Sequence, residues 1–360
     1  MESQTINSKM RYRYLGNSGI RVSVFSWGNW INVSNNNNIT TKTIKRALEL
    51  GINYFDTAEI YGFGEAEKSL GTALNELEVK RNSIVVSTKI YKSGLGVNDS
   101  MLSRKHIIEG LNDSLKRLQL DYVDIVFCHR YDNDTSLEVV CRAMDFVINQ
   151  GKAFYWATSE WKASQIMEAI KICETYNLVK PIADQCQYNM IERSKVENEF
   201  SHLFDAHKYG TTVWSPLFSG VLTGKYKDNV DLEGSRLKGD SSKFHKLKYL
   251  NSKKEWDAKI DKLTSIANKL NCSMVQLALA WVVKNPNVST CILGTSKVEQ
   301  LEENIKALDF VEYIDDNLEE EIDNILNNGP PIELNWKTFS FLDKRRVALS
   351  KLNEWKSLSN

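Results

Sequence analysis

The sequence predicts a (β/α)8 barrel, that is, a TIM barrel with an extra C-terminal helix or tail. Three observations predict it. Eight short β-branched runs are spread along the chain, longer amphipathic stretches lie between them, and no Gly-rich nucleotide turn follows the first run. A strand followed each time by a helix implies parallel pairing, because a parallel neighbour needs a crossover of that length. The competing architecture, an open doubly wound sheet, would bind a dinucleotide through a G-x-G-x-x-G turn after its first strand. Here that strand is followed by "GNWINVSNNNN", which has no such spacing.

The strands expected in order are "VSVFSWG" (22–28), "INYFD" (52–56), "SIVVSTK" (83–89), "YVDIVF" (122–127), "AFYWATS" (153–159), "IADQCQ" (182–187), "TTVWS" (211–215) and "STCILG" (289–294). Between them, "TKTIKRALELG", "SRKHIIEGLNDSLKRLQL" and "SLEVVCRAMDFVINQG" place apolar residues at helical spacing, with glycine just past the end of the first and third. In the second, Ser103 is an N-cap, and Ile107, Ile108, Leu111, Leu115 and Leu118 form the apolar stripe. The run Asn35 to Asn38 reads as an exposed loop. Residues 216–256 form a long polar excursion after the seventh strand, of a length usually functional in a compact domain. Beyond about 310 the repeat stops: "NLEEEIDNILN" reads as an added helix, and "FLDKRRVALSKLNEWKSL" as one amphipathic helix in the tail. The expected organisation is a short flexible N-terminus over 1–11, one barrel over 12–327 and a C-terminal extension over 328–360.

Composition narrows the function classes. The 360 residues carry no formal net charge, with 42% hydrophobic and 26% charged, so neither nucleic acid nor an anionic membrane is suggested as a partner. No stretch approaches a transmembrane helix, and "MESQTINSKMRYRYLG" lacks the apolar core of a signal peptide, so a cytoplasmic location is expected. Six scattered cysteines without a C-x-x-C pair read as reduced core or near-core thiols, and five histidines without ligand spacing argue against zinc. The sequons in this asparagine-rich chain are chance matches.

In such a barrel the chemistry sits at the C-terminal ends of the strands. Asp56 ends the second run, Tyr61 follows it, Lys89 ends the third and His129 follows the fourth. Each alone has an ordinary explanation: a helix cap, a packing aromatic, a solvated lysine, a surface histidine. Together a carboxylate, a phenol, an ammonium and an imidazole make a proton-donating site. A phenol of pKa about 10 is a poor acid at neutral pH; Lys89 would lower that value, and Asp56 would offset the cost of burying the ammonium. His129 would hydrogen-bond a substrate carbonyl or join the relay. Such a site protonates oxygen while hydride reaches carbon, and hydride requires a nicotinamide, because no side chain donates it. The neighbouring Glu59 reads as a loop or solvated residue.

The stretches "NYFDTAEIYG", "STKIY", "LSRKHIIEGLNDSLKRLQLDYVDIVFCHR", "VINQGKAFYWATSEW", "WSPLFSGVLTGKY" and "LGTSKVEQLEENI" resemble the aldo-keto reductases, most closely the branch containing the β subunits of voltage-gated potassium channels. The likeness runs from about Tyr12 to about Asn327. It implies a barrel that binds NADPH in an extended form without a Rossmann turn, with Asp56, Tyr61, Lys89 and His129 as catalytic tetrad and Tyr61 as general acid. It also implies that Trp30 lies near substrate and nicotinamide, that Ser159 and Gln185 bond the carboxamide, and that Trp214 stacks beneath the ring. Ser215, Leu217 and Ser219 would line the pyrophosphate path, with Lys225 and Arg236 closing over it. Gly294, Ser296, Gln300, Glu303 and Asn304 would hold the adenosine end, where helix N–H groups face the 2′-phosphate.

Three departures stand out within the resemblance. His129 replaces the asparagine of the channel β subunits, as in most enzymatic relatives, which favours turnover. "TSRW" has become "TSEW", putting Glu160 in place of an arginine near the nicotinamide side, and "GTW" has become "GNW", putting Asn29 near the cofactor. The expected function is therefore NADPH-dependent reduction of small aldehydes and ketones, in a homotetramer such as this branch forms. The alternative is a cytoplasmic β subunit docked on a potassium channel α subunit, with NADPH as a redox-sensing ligand. About ten residues precede the barrel, so inactivation by a tethered N-terminal peptide is not expected; docking stays open.

Overall fold

The eight runs become the eight strands of one closed barrel. The computed structural model describes residues 9–30, 37–227, 237 and 243–331. A hairpin of β1 (Tyr12–Tyr14) and β2 (Arg21–Ser23) comes first. The barrel strands are β3 (Phe25–Gly28), β4 (Tyr54–Asp56), β5 (Val85–Ile90), β6 (Val123–Cys128), β7 (Ala153–Ser159), β8 (Ala183–Gln185), β9 (Gly210–Val213) and β10 (Thr290–Leu293). They run parallel in the order β10-β3-β4-β5-β6-β7-β8-β9, and β10 closes on both β9 and β3. The first run divides in two because Ser23 N–H is taken by Asn53 Oδ1 at 2.7 Å while Ser23 Oγ reaches forward to Phe25 O at 2.6 Å. Val22 therefore belongs to the hairpin, and only Phe25 onward joins the barrel.

Side chains alternate across each strand. The inward set is apolar at one end of the barrel: Tyr54, Val85, Ile125, Phe127, Ala157 and Ala183 cluster with Leu15 and Val22 of the hairpin, which plugs that end. Two residues further along the same strands come Asp56, Ser87, Ser159 and Gln185, all buried. The outward set, including Phe55, Val86, Val126, Cys128 and Trp156, packs with the helices in the main core. The apolar floor and the polar mouth are thus dictated by a period of two residues.

The crossover helices are α1 (Asn37–Glu49), α2 (Glu65–Glu76), α3 (Arg104–Leu118), α4 (Leu137–Asn149), α5 (Ala163–Tyr176), α6 (Ser201–His207), α7 (Lys243–Asn251), α8 (Lys253–Lys269), α9 (Met274–Lys284) and α10 (Val298–Ile305). Gly51 and Gly151 stop α1 and α4 at φ 84° and 72°, the left-handed values expected of a glycine past a helix end. Ser103 caps α3 as its sequence predicts, accepting from His106 N–H at 3.1 Å, worth about 1 kcal/mol. The stripe on α3 differs at one position: Ile108 is half-buried, and His106 lies on the buried face with Ile107, Leu111, Leu115 and Leu118. The added helix is α11 (Asp316–Leu326), tied to the barrel by Arg193, which pairs with Asp323 at 3.1 Å. The last two residues of the Asn35–Asn38 run open α1 instead of lying in a loop. Asn35 and Asn36, the middle of the polar excursion (228–236, with Arg236, and 238–242), the residues before 9 and the tail helix fall outside the described residues. Among the described residues no single helix is long and apolar enough to cross a membrane. All six cysteines are buried free thiols.

Candidate active site

Asp56, Lys89, Tyr61 and His129 meet at the polar mouth. Lys89 is fully buried, and its ammonium donates to Asp56 Oδ2 at 2.5 Å and to Thr57 O at 2.7 Å. Asp56 Oδ1 accepts from Ser87 Oγ at 2.6 Å and Gln185 Nε2 at 3.0 Å. A buried carboxylate with this many donors stays acceptable in the interior because its charge is matched. The lysine ammonium also lies 4.7 Å from the centre of the Tyr61 ring. Tyr61 meets His129 edge to face at 5.7 Å and Trp30 at 5.1 Å, and Trp30 is 50% exposed. Within this cluster the exposed side chain is the Trp30 indole.

Electrostatics differ in one respect from the sequence expectation. Burial pushes the Tyr61 phenol above its ordinary 10, and the Lys89 charge, next in size, pulls it back only in part. The free site therefore holds the phenol firmly protonated. Burial disfavours the Lys89 ammonium, but Asp56 and Tyr61 together raise its pKa above the ordinary lysine value. Burial, then the charges of Lys89 and Arg130, hold His129 well below the usual 6.5, so its imidazole is neutral at pH 7.

The remaining positions lie around the same mouth. Ser159 Oγ donates to Gln185 O at 3.0 Å and accepts from Arg130 Nη1 at 3.2 Å. Gln185 spends its amide N–H groups on Asp56 and on Thr212 Oγ1 at 3.4 Å. The Trp214 indole donates to Glu160 Oε1 at 2.8 Å and stacks on His245, with ring centres 5.9 Å apart. His245, brought in by α7, contacts Ser219 Oγ through Nδ1 at 2.6 Å. After β9 the backbone is strained: Ser215, Phe218 and Ser219 sit at φ 53°, 47° and 54°, with Gly220 at 89°. Leu217 is half-buried at the start of that turn, and Lys225 arches over Gly220, where a Cβ would lie 3.1 Å from its Nζ. At the far end, Gly294 and Ser296 are exposed, and Gln300 Oε1 accepts from Ser296 N at 2.9 Å and Ser296 Oγ at 3.2 Å. Asn304 is buried. Glu303 faces α9, accepting from Gln276 Nε2 at 2.8 Å and Ser273 Oγ at 3.1 Å.

Two residues acquire roles that their sequence context does not reveal. Glu59 is buried, not solvated: its Oε1 accepts from Tyr91 N–H at 2.5 Å and meets His106 Nε2 at 3.0 Å. It ties the Tyr61 loop to the segment after β5 and to α3. Asn29, expected near the cofactor, is buried and donates to Ala66 O of α2 at 2.6 Å. The signal for Glu59 was its neighbour: His106 lies on the buried face of α3 and needs a polar partner.

After β9, then, a strained turn carries the Ser215 and Ser219 hydroxyls and the arching Lys225 ammonium beside the Trp214 indole. The chain is thus a parallel eight-stranded barrel that buries a lysine, an aspartate and a tyrosine together at its strand ends. The chain belongs to the aldo/keto reductase family, whose model matches residues 25–327. It is similar to a protein of Schizosaccharomyces pombe named putative voltage-gated potassium channel subunit beta, 46% identical over 335 residues, 91% of this chain and 96% of that one. It is also similar to proteins of Oryza sativa subsp. japonica and Arabidopsis thaliana, each named probable voltage-gated potassium channel subunit beta. These are 44% and 43% identical, and each match covers 89% of this chain and 98% of the relative.

Proposed function

We propose that the protein reduces aldehydes and ketones to alcohols with NADPH, Tyr61 delivering the proton. The observation that carries this reading is the Lys89 ammonium, fully buried between Asp56 and the Tyr61 ring. The bound cofactor supplies hydride to the carbonyl carbon. Tyr61 holds its proton until charge develops on the carbonyl oxygen; the phenol O–H then breaks and the alcohol O–H forms. The phenolate left behind is stabilised by the ammonium at its ring, whose own charge Asp56 secures. It takes its proton back from solvent. His129, neutral, donates one N–H to the carbonyl oxygen and orients it. Trp30 covers the entrance. Ser159 and Gln185 would hold a carboxamide, and Ser215, Leu217, Ser219 and Lys225 the pyrophosphate. Gly294, Ser296, Gln300, Glu303 and Asn304 would hold the adenosine end, Ser296 and Gln300 there favouring a 2′-phosphate.

The relatives are named as potassium channel β subunits, which favours association with a channel as a second role for the same chain; for that role we propose a cytoplasmic homotetramer docked on the α subunit, with NADPH as a redox-sensing ligand. One experiment tests the first reading. NADPH absorbance is followed while the protein meets aldehydes, ketones and quinones, with Tyr61→Phe alongside. Turnover should fall about a hundredfold or more in the variant while NADPH still binds. An unchanged rate rules Tyr61 out as donor. Tight NADPH binding without turnover by the wild type, joined to co-purification with a channel fragment, would transfer the assignment to the second role.

A further inference from the structure

Glu160 follows the last residue of β7 and sits at φ 59°, a region that a glutamate enters at a cost of about 1 kcal/mol. Four contacts from other segments hold it there. Its N–H donates to Gln185 O at 3.1 Å. Its Oε1 accepts from Trp214 Nε1 at 2.8 Å and Gln187 N at 2.6 Å, and its Oε2 accepts from Lys195 Nζ at 2.9 Å. Gln187 follows β8 and Trp214 follows β9, so one carboxylate ties three successive strand ends together. The geometry is specific for the indole. Nε1–H is the only polar group of a tryptophan side chain, and an acceptor there fixes the ring's tilt. The stack on His245 at an interplanar angle of 28° holds a face. Lys195 sets a positive charge against the second carboxylate oxygen; burial disfavours that ammonium, but Asp184 and Glu160 raise its pKa above the ordinary lysine value.

We infer that Glu160 is a positioning residue for the reduction proposed above, fixing the Trp214 indole as the flat support of the nicotinamide ring. The inference rests on that reading, because it takes the ring to bind at this strand end. It also predicts a split that a merely structural staple would not give: loss of the acceptor should disturb the nicotinamide end and leave the adenosine end untouched.

The test measures two ligands on the full-length protein, NADPH by fluorescence titration and adenosine 2′,5′-bisphosphate, which lacks the nicotinamide, by calorimetry. Glu160→Leu should weaken NADPH about tenfold or more, the scale of one lost hydrogen bond to a charged group, and leave the bisphosphate within about twofold. Glu160→Gln, which keeps an acceptor for the indole N–H, should restore most of the NADPH affinity. Should Glu160→Leu not fold, Glu160→Ala, which removes the same acceptor with a smaller side chain, takes its place and should show the same split. Equal weakening of both ligands, or unchanged NADPH affinity in a folded variant, overturns the inference alone. A wild-type protein that binds neither ligand overturns the functional reading and the inference with it.

Discussion

Replacing Lys89 by methionine removes the charge on which the candidate site is built while keeping the length of the side chain. The ammonium is fully buried, and Asp56 is 3% exposed in its side chain, so neither group has water to fall back on. Asp56 Oδ1 would keep Ser87 and Gln185, whereas Oδ2 would lose its 2.5 Å donor, and Thr57 O would lose one at 2.7 Å. Breaking one side of a buried pair costs about 3–5 kcal/mol, because the surviving charge remains desolvated. With an unfolding entropy of about 2.1 cal/mol/K per residue, a chain this size should lose about 4–7 °C in Tm. Turnover should fall by a factor of about 10² to 10⁴, since the phenol loses the largest influence that lowers its pKa. The assay pairs thermal melts with NADPH consumption for Lys89→Met, Asp56→Asn and the double variant. The double variant removes both charges, so its Tm should recover part of the loss while its turnover stays as low as that of Lys89→Met. A single variant that melts within 1 °C of the wild type, or a double variant no more stable than Lys89→Met, would refute the claim that paired charge holds the site.

Two further predictions concern pH. His129 has a folded-state pKa below its ordinary 6.5, so its contribution to stability is present above about pH 6.5 and is lost as the pH falls. Wild-type Tm should therefore drop more between pH 7 and pH 5 than that of His129→Asn, and kcat/KM should show no break near 6.5; a break that vanishes in the variant would contradict a neutral imidazole. Asp184, in the middle of β8, is pushed up to about 7 from 3.8, by burial first, with Lys195 opposing and Glu160 adding. Its stabilising contribution is complete below pH 4 and is lost as the pH rises through 7. Asp184→Asn cannot ionise, so it should gain up to about 4 kcal/mol at pH 8, about 5 °C in Tm, and nothing at pH 3.5; a gain independent of pH would show that ionisation is not the cause.

The barrel was legible because its signal is periodic. A run such as "SIVVSTK" alternates inward Val85, Ser87 and Lys89 with outward Val86 and Thr88, and packing enforces that alternation wherever both faces are covered. The division of "VSVFSWG" was not legible, because it depends on Asn53 capturing Ser23 N–H from a segment thirty residues away. The four residues Asp56, Tyr61, Lys89 and His129 were legible as a group because the fold brings successive strand ends together. The sign of the Tyr61 shift was not, since it depends on how much the pocket desolvates the ring as well as on which charge is near.

Glu59 shows why reading polar residues one at a time fails at a barrel mouth. An exposed carboxylate in a loop needs no partner, so sequence context alone favours solvation. Once the strand ends converge, a carboxylate there is dehydrated, and it is retained only where a donor arrives from another crossover. Lys89 comes from β5 to Asp56 of β4, His106 from α3 to Glu59, and Lys195 from the segment before α6 to Glu160 after β7. In each case the partner lies between 33 and 47 residues away. That separation is about the length of one strand-helix unit, the distance at which this fold returns the chain to the same mouth. Ionisable residues one unit apart, each at or just past the end of a predicted strand or opening the helix after it, are therefore candidates for pairing across the mouth. Asp56 with Lys89 and Glu59 with His106 satisfy that rule from the sequence alone, and Glu160 with Lys195 extends it to the side of the cleft where the indole lies.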